Sequence, residues 1–108
     1  MSRSDQNDNR HPLAGLDKVA HGAARLMILT SLYVVQSAEY LSLINITGLT
    51  WGNLATHLKK LEETGYVEVE KEIRGKKVYS MVHLTSGGRE SFRAYKEQMK
   101  TVLNDLPD

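Results

Sequence analysis

Between Thr50 and Leu84 the hydrophobic period of the chain changes from that of a helix to that of a strand. Leu54, Leu58 and Leu61 recur at i, i+4 and i+7, which places them on one face of a helix. Gly52, Thr56, Lys59 and Glu63 fall on the opposite face, Asn53, His57 and Lys60 along one flank, and Ala55 on the other. Thr50 is a good N-cap, and Gly65 stands where a left-handed residue would end the helix. From Tyr66 the pattern alternates. Val67, Val69 and Lys71 oppose Tyr66, Glu68, Glu70 and Glu72, and later Val78, Ser80, Val82 and Leu84 oppose Tyr79, Met81 and His83. Period two over two short runs predicts two strands, each with one buried face. The connection, Ile73-Arg74-Gly75-Lys76-Lys77, carries three cations around a glycine that supplies positive φ.

The order helix, strand, basic turn, strand is that of a reading helix followed by a β-hairpin wing, and it points to a grip on double-stranded DNA. Small and polar residues on the solvent side of the helix suit a major groove: Gly52 lets the backbone approach, and an amide or hydroxyl reaches base edges. A cationic hairpin tip beside that helix can reach a neighbouring phosphate or the minor groove. Each feature taken alone has a plainer reading. Amphipathic surface helices are common, and solvated turns often carry Lys and Arg.

The flanking sequence supplies scaffold. Met1 to Pro12 is polar and aperiodic, and is expected to be a disordered tail. Residues 23–37 predict a helix that is apolar around nearly its whole circumference, through Leu26 to Leu29 and Leu32 to Val35. Such a helix in a short chain needs cover on two sides, one of them a second subunit. Residues 39–46 predict a short helix, followed by a turn at Thr47-Gly48-Leu49. From Thr85 a last helix is expected, with Phe92, Tyr95, Met99, Val102 and Leu106 spaced by threes and fours. That spacing forms a dimerisation seam together with Met27 and Tyr33 of the apolar helix, or a stripe packed on its own domain.

Composition narrows the classes. A chain of 108 residues makes one domain, with no apolar run of membrane-spanning length and no signal peptide in view. Its lack of cysteine excludes disulfides and thiolate metal sites and fits the cytoplasm. Net charge is only +1, so the charge pattern matters more than its sum. Lys59 and Lys60, then Arg74, Lys76 and Lys77, are separated by Glu62, Glu63, Glu68, Glu70 and Glu72. The acidic strand has to face away from phosphate if the DNA reading holds. The four histidines, His11, His21, His57 and His83, make no metal-ligand spacing, and no nucleophile–base pair or phosphate-binding loop is visible. No enzyme, cofactor or metal is expected. His57 can contact phosphate, pack on the helix flank or hydrogen-bond within the fold.

The segments GNLATHLKKLEETGYVEVEKEIRGKK and HLTSGGRESF resemble the winged helix-turn-helix regulators of bacteria and archaea, in a group between the MarR and ArsR families. The shared pattern is Gly-Asn-Leu with His-Leu and Leu over Gly52 to Leu61, Gly-Tyr-Val at Gly65 to Val67, and Leu-Thr with Gly-Arg over Leu84 to Arg89. The upstream LDKVAHGAARLMILTSL is similar to that group's first helix, so the likeness covers roughly residues 16–103. It departs at Ser86-Gly87, where the group often has proline and an acidic residue, which is expected to loosen the start of the last helix. It also departs at Trp51, where the group often has a small polar residue; this indole can cap the core or stack beside a sugar-phosphate, and partial burial is expected.

The resemblance implies an α+β, mostly helical winged helix-turn-helix domain over 13–108, with a two-stranded wing and a C-terminal dimerisation helix. The expected activity is sequence-specific binding of duplex DNA by a homodimeric transcriptional regulator. Thr50, Lys59, Lys60, Arg74, Lys76 and Lys77 are the expected phosphate contacts, and Gly52, Asn53, Thr56 and His57 the base-facing ones. A winged-helix module that binds protein is the alternative, and a small-molecule effector could occupy a pocket between dimer helices and reading heads.

Overall fold

The computed structural model describes Ala20 and residues 22–108. The tail expected over 1–12, the start of the upstream segment, and His11 and His21 lie outside the described residues. The elements in chain order are α1 (Ala23–Val35), β1 (Ser37–Glu39), α2 (Tyr40–Thr47), α3 (Trp51–Glu63), β2 (Val67–Arg74), β3 (Lys77–Leu84) and α4 (Ser86–Asn104). The sheet is antiparallel with strand order β1-β3-β2, so the wing has a third strand that the sequence reading lacked. Three residues are too few for a period-two signal, and the alternation of Ser37-Ala38-Glu39 is invisible beside the apolar run before it.

The helix expected over 23–37 ends earlier because Gln36 turns left-handed, with φ 73°. That conformation is uncommon for a non-glycine residue, and hydrogen bonds hold it on every side. The Gln36 backbone N–H donates to Leu32 O at 2.8 Å, and its carbonyl accepts from Leu84 N at 2.9 Å. Its side-chain amide donates to Leu84 O at 2.9 Å, and its Oε1 accepts from Arg89 at 2.7 Å. The chain then leaves α1 straight into the sheet, with Ser37 opposite His83 and Glu39 opposite Met81.

The expected α3 forms as the pattern dictates. Thr50 Oγ1 accepts from Asn53 N at 3.2 Å, and Leu54, Leu58 and Leu61 are buried. At its far end Gly65 N donates to Glu62 O and Tyr66 N to Leu61 O, the double bond of a Schellman stop. That stop corrects one assignment. Tyr66 is the last residue of the stop, not the first of a strand, so its side chain is buried with Leu61 instead of lying among the glutamates.

The last helix starts firmly. Thr85 Oγ1 accepts from Gly88 N at 2.8 Å and donates to Gly65 O at 2.6 Å. Gly88 lies so close to Tyr66 that a Cβ there would stand 2.2 Å from the Tyr66 carbonyl oxygen. The Ser86-Gly87 start is therefore not loose, because cap and close approach tie α4 to the end of α3. Phe92 and Tyr95, expected on a dimer seam, are each only 5% exposed within their own protomer; their rings stack with centroids 5.6 Å apart, and the Tyr33 ring packs on Phe92 at the same distance, tilted by 51°. Periodicity shows that a stripe is buried; it does not show by what.

Candidate nucleic-acid interface

The leucines of α3 fix what the helix shows to solvent. Gly52, Asn53, Thr56, Lys59 and Lys60 are exposed, and nothing lies within 4 Å of a Cβ built on Gly52. Thr50 is exposed at the cap, its hydroxyl occupied by the Asn53 N–H. The Thr56 hydroxyl donates to Gly52 O at 3.0 Å, which leaves its lone pairs outward. His57 sits apart from these on the α1 side, half-buried, with its Nδ1 accepting from Arg25 Nε at 3.5 Å. This contact links the flank of α3 to α1.

The wing is longer and its turn tighter than expected. The ladder of β2 and β3 runs from Val67 opposite Leu84 to Arg74 opposite Lys77, so only Gly75 and Lys76 form the turn. Gly75 takes φ 62°. The three tip cations divide by environment. Arg74 pairs with Glu39 and Glu72, both at 3.0 Å, and its guanidinium lies 4.8 Å from the centre of the Tyr79 ring. The Glu72 carboxylate, and then Glu39, push its pKa further up. Arg74 thus ties the outer end of the wing back to β1. Lys76 and Lys77 are exposed and make no ion pair among the described residues.

The register settles which way each charge faces. Glu39, Glu68, Glu70 and Glu72 share one face of the sheet with His83, Met81 and Tyr79. On that face His83 Nδ1 hydrogen-bonds with Ser37 Oγ at 2.6 Å, and its Nε2 lies 2.7 Å from Glu70 Oε1. The other face carries Val67, Val69, Lys71, Ser80 and Val82 and turns toward α3, where Val69 N donates to Glu62 Oε2 at 3.4 Å. The acidic strand therefore shows its carboxylates on the side away from the helix.

Two residues at this surface stand differently from the burial expected of them. Trp51, expected to be partly buried, is 59% exposed at the start of α3. Lys71, assigned to the buried side of its strand, is exposed on the face turned toward α3. The signal for Lys71 was a cation in phase with Val67 and Val69, which places a charge where the apolar face of the strand outruns the core. Among the described residues no group of His, Asp and Glu could hold a metal ion, and no helix is long and apolar enough to cross a membrane.

The comparisons agree with this geometry. A family model described as a winged helix DNA-binding domain matches residues 24–103. The uncharacterized protein MJ0432 of Methanocaldococcus jannaschii is 38% identical over 78 residues, 72% of this chain and 85% of its own. A transcriptional regulator homologue from Pyrococcus horikoshii OT3 superposes with a TM-score of 0.73 at 26% identity, over 98% of this chain and all of that one. Two further solved structures share the fold. Reduced AbfR bound to DNA has a TM-score of 0.71 and 20% identity, over 97% of this chain and 73% of its own. A MarR transcriptional regulator from Methanosarcina mazei Go1 has a TM-score of 0.64 and 21% identity, over 83% of this chain and 67% of its own. The chain belongs to the winged helix DNA-binding domain family and is built like the MarR-type transcriptional regulators.

Proposed function

We propose that the chain works as a homodimeric transcriptional regulator that places α3 in a major groove and the wing along the adjoining backbone or minor groove. One observation carries the reading: the solvent face of α3 offers Gly52, Asn53, Thr56, Lys59 and Lys60 beside a hairpin tip whose Lys76 and Lys77 are uncommitted. Lysines that lack a carboxylate partner are free to displace counterions from phosphate. Asn53 donates only its backbone N–H to the cap, which leaves its amide for a base edge.

Selection of bound sequences from random duplex DNA tests the proposal, and a salt titration accompanies it. A preferred sequence with two half-sites and a steep salt slope is the expected result. Asn53→Ala is expected to cost about 1–3 kcal/mol on the preferred site and little on other duplexes. Enrichment of no sequence, with binding indifferent to salt, would leave the protein-interaction module as the correct reading.

A further inference from the structure

Between the inner face of the wing and the start of α3 runs an open groove of about 380 Å³. Trp51 and Tyr40 form one wall, and Lys71, Ser80 and Val78 the other. The indole is exposed yet fixed. The Tyr40 ring packs on it at 4.5 Å and 31°, and Tyr40 Oη donates to the Trp51 carbonyl at 3.1 Å. The paired rings give the groove a fixed aromatic wall that is open to a partner. Across from it Lys71 makes no ion pair among the described residues, although glutamates flank it in sequence, because those glutamates lie on the other face of the sheet. Glu39, at the edge of the groove, is neutralised by Arg74. The groove therefore combines one cation without an ion-pair partner among the described residues, the hydroxyls of Ser80 and Tyr79, and one aromatic wall.

We infer that this groove holds a single sugar–phosphate strand of the duplex: Lys71 pairs with a phosphate, Ser80 donates to the same phosphate, and the Trp51 indole lies against a neighbouring deoxyribose. The inference rests on the DNA-binding reading and follows from its geometry. A helix in a major groove and a hairpin in the adjacent minor groove are separated by one backbone strand. That strand has to pass through the gap between them. The gap is this groove, bounded by Trp51 at the start of α3 on one side and by Lys71, Val78 and Ser80 of the wing on the other. Its chemistry suits a backbone and not a base edge, because Lys71 is a point charge and the indole wall offers no pattern of donors.

The chain has a single tryptophan, so its emission reports on the groove directly. Titration of the full chain with a mixed-sequence duplex at low salt is expected to change Trp51 emission saturably. Lys71→Gln is expected to lower the slope of log affinity against log salt by about one unit on every duplex, equivalent to ~3.5-fold less loss of affinity between 50 and 200 mM salt. Lys71→Arg should keep the wild-type slope. Trp51→Ala should weaken all duplexes alike and leave the slope unchanged. Duplexes carrying one neutral methylphosphonate at successive positions should show a position that wild type discriminates against and Lys71→Gln does not. Salt-sensitive duplex binding with an unchanged slope in Lys71→Gln and no change in Trp51 emission overturns the groove assignment and leaves the DNA reading standing. Absence of any salt-sensitive duplex binding overturns both. Emission that shifts with protein concentration alone assigns the groove to a second copy of the chain and overturns the inference.

Discussion

Two glycines show how differently one residue type serves this fold. Gly88 allows α4 to touch the Tyr66 carbonyl, so Gly88→Ala forces a Cβ into backbone. A destabilisation of about 1–3 kcal/mol is expected, read as a fall in melting temperature. Gly52 is surrounded by open space and occupies an exposed helical position where alanine is the better helix former. Gly52→Ala is expected to leave the fold as stable or up to about 1 kcal/mol more so, while weakening duplex binding because the added methyl holds the backbone off the groove. A loss of stability in Gly52→Ala with unchanged binding would show the glycine to be structural. Phenol titration probes the packing independently. Hydrogen bonding to Arg93, reinforced by Lys96 and Arg89, holds Tyr33 below the usual phenol pKa despite desolvation, and burial pushes Tyr40 above it. In an absorbance titration, Tyr33→Phe should therefore remove an early-ionising phenol and Tyr40→Phe a late one; the reverse order would contradict this packing. Gly52 was singled out from sequence by its place on the solvent face of the helix, but the role of Gly88 was not legible, because only the neighbour a glycine meets distinguishes a close approach from an open face.

At the scale of elements, legibility followed the length of the repeat. The thirteen residues of α3 carry a cap, three leucines in phase and a glycine stop, and each does in the structure what its pattern dictates. The wing's alternation was readable for the same reason, but its ends were not. Tyr66 belongs to the helix stop, and Arg74 and Lys77 belong to the ladder instead of the turn. That shift separates the tip cations by function. Lys76 is free, so Lys76→Ala should flatten the salt dependence of DNA binding by about one unit on all sequences. Arg74 is already neutralised by Glu39 and Glu72, so Arg74→Gln should change that slope much less. Both pairs are half exposed, so melting should barely move. If Arg74→Gln flattens the slope as fully as Lys76→Ala, the arginine leaves its carboxylates for phosphate, and its role as a wing tie in the bound state is wrong.

The whole molecule raises the matter of the second subunit, where sequence and structure divide the work. An apolar stripe on α4 was readable in advance, but a single chain cannot reveal which part of it a partner covers. The structure divides the stripe. Phe92 and Tyr95 are used up in the protomer's own core, Met99 packs partly against that core and Val102 is half-buried, whereas Leu103 and Leu106 are 56% and 59% exposed. On α1 the same division leaves Ile28, Leu29 and Leu32 inside and Met27 and Val34 outside. Other exposed apolar residues lie on α2, at Trp51 and on the wing, but the surplus on α1 and at the far end of α4 belongs to neither the reading helix nor the wing. A two-fold dimer built there would leave both reading heads free and present them to half-sites about one helical turn apart. Leu103→Glu combined with Leu106→Glu is the sharp test, since neither residue contributes to the protomer core and the fold should survive. Sedimentation at tens of micromolar, within reach of ordinary dimer affinities, should show a dimer for the wild type and a folded monomer for the double variant. The monomer should bind a single half-site and lose most of its affinity for the paired site, because the second head no longer acts at high effective concentration. A wild-type chain that sediments as a monomer and binds a paired site no better than a half-site would rule out this assembly. The exposed leucines would then need another partner.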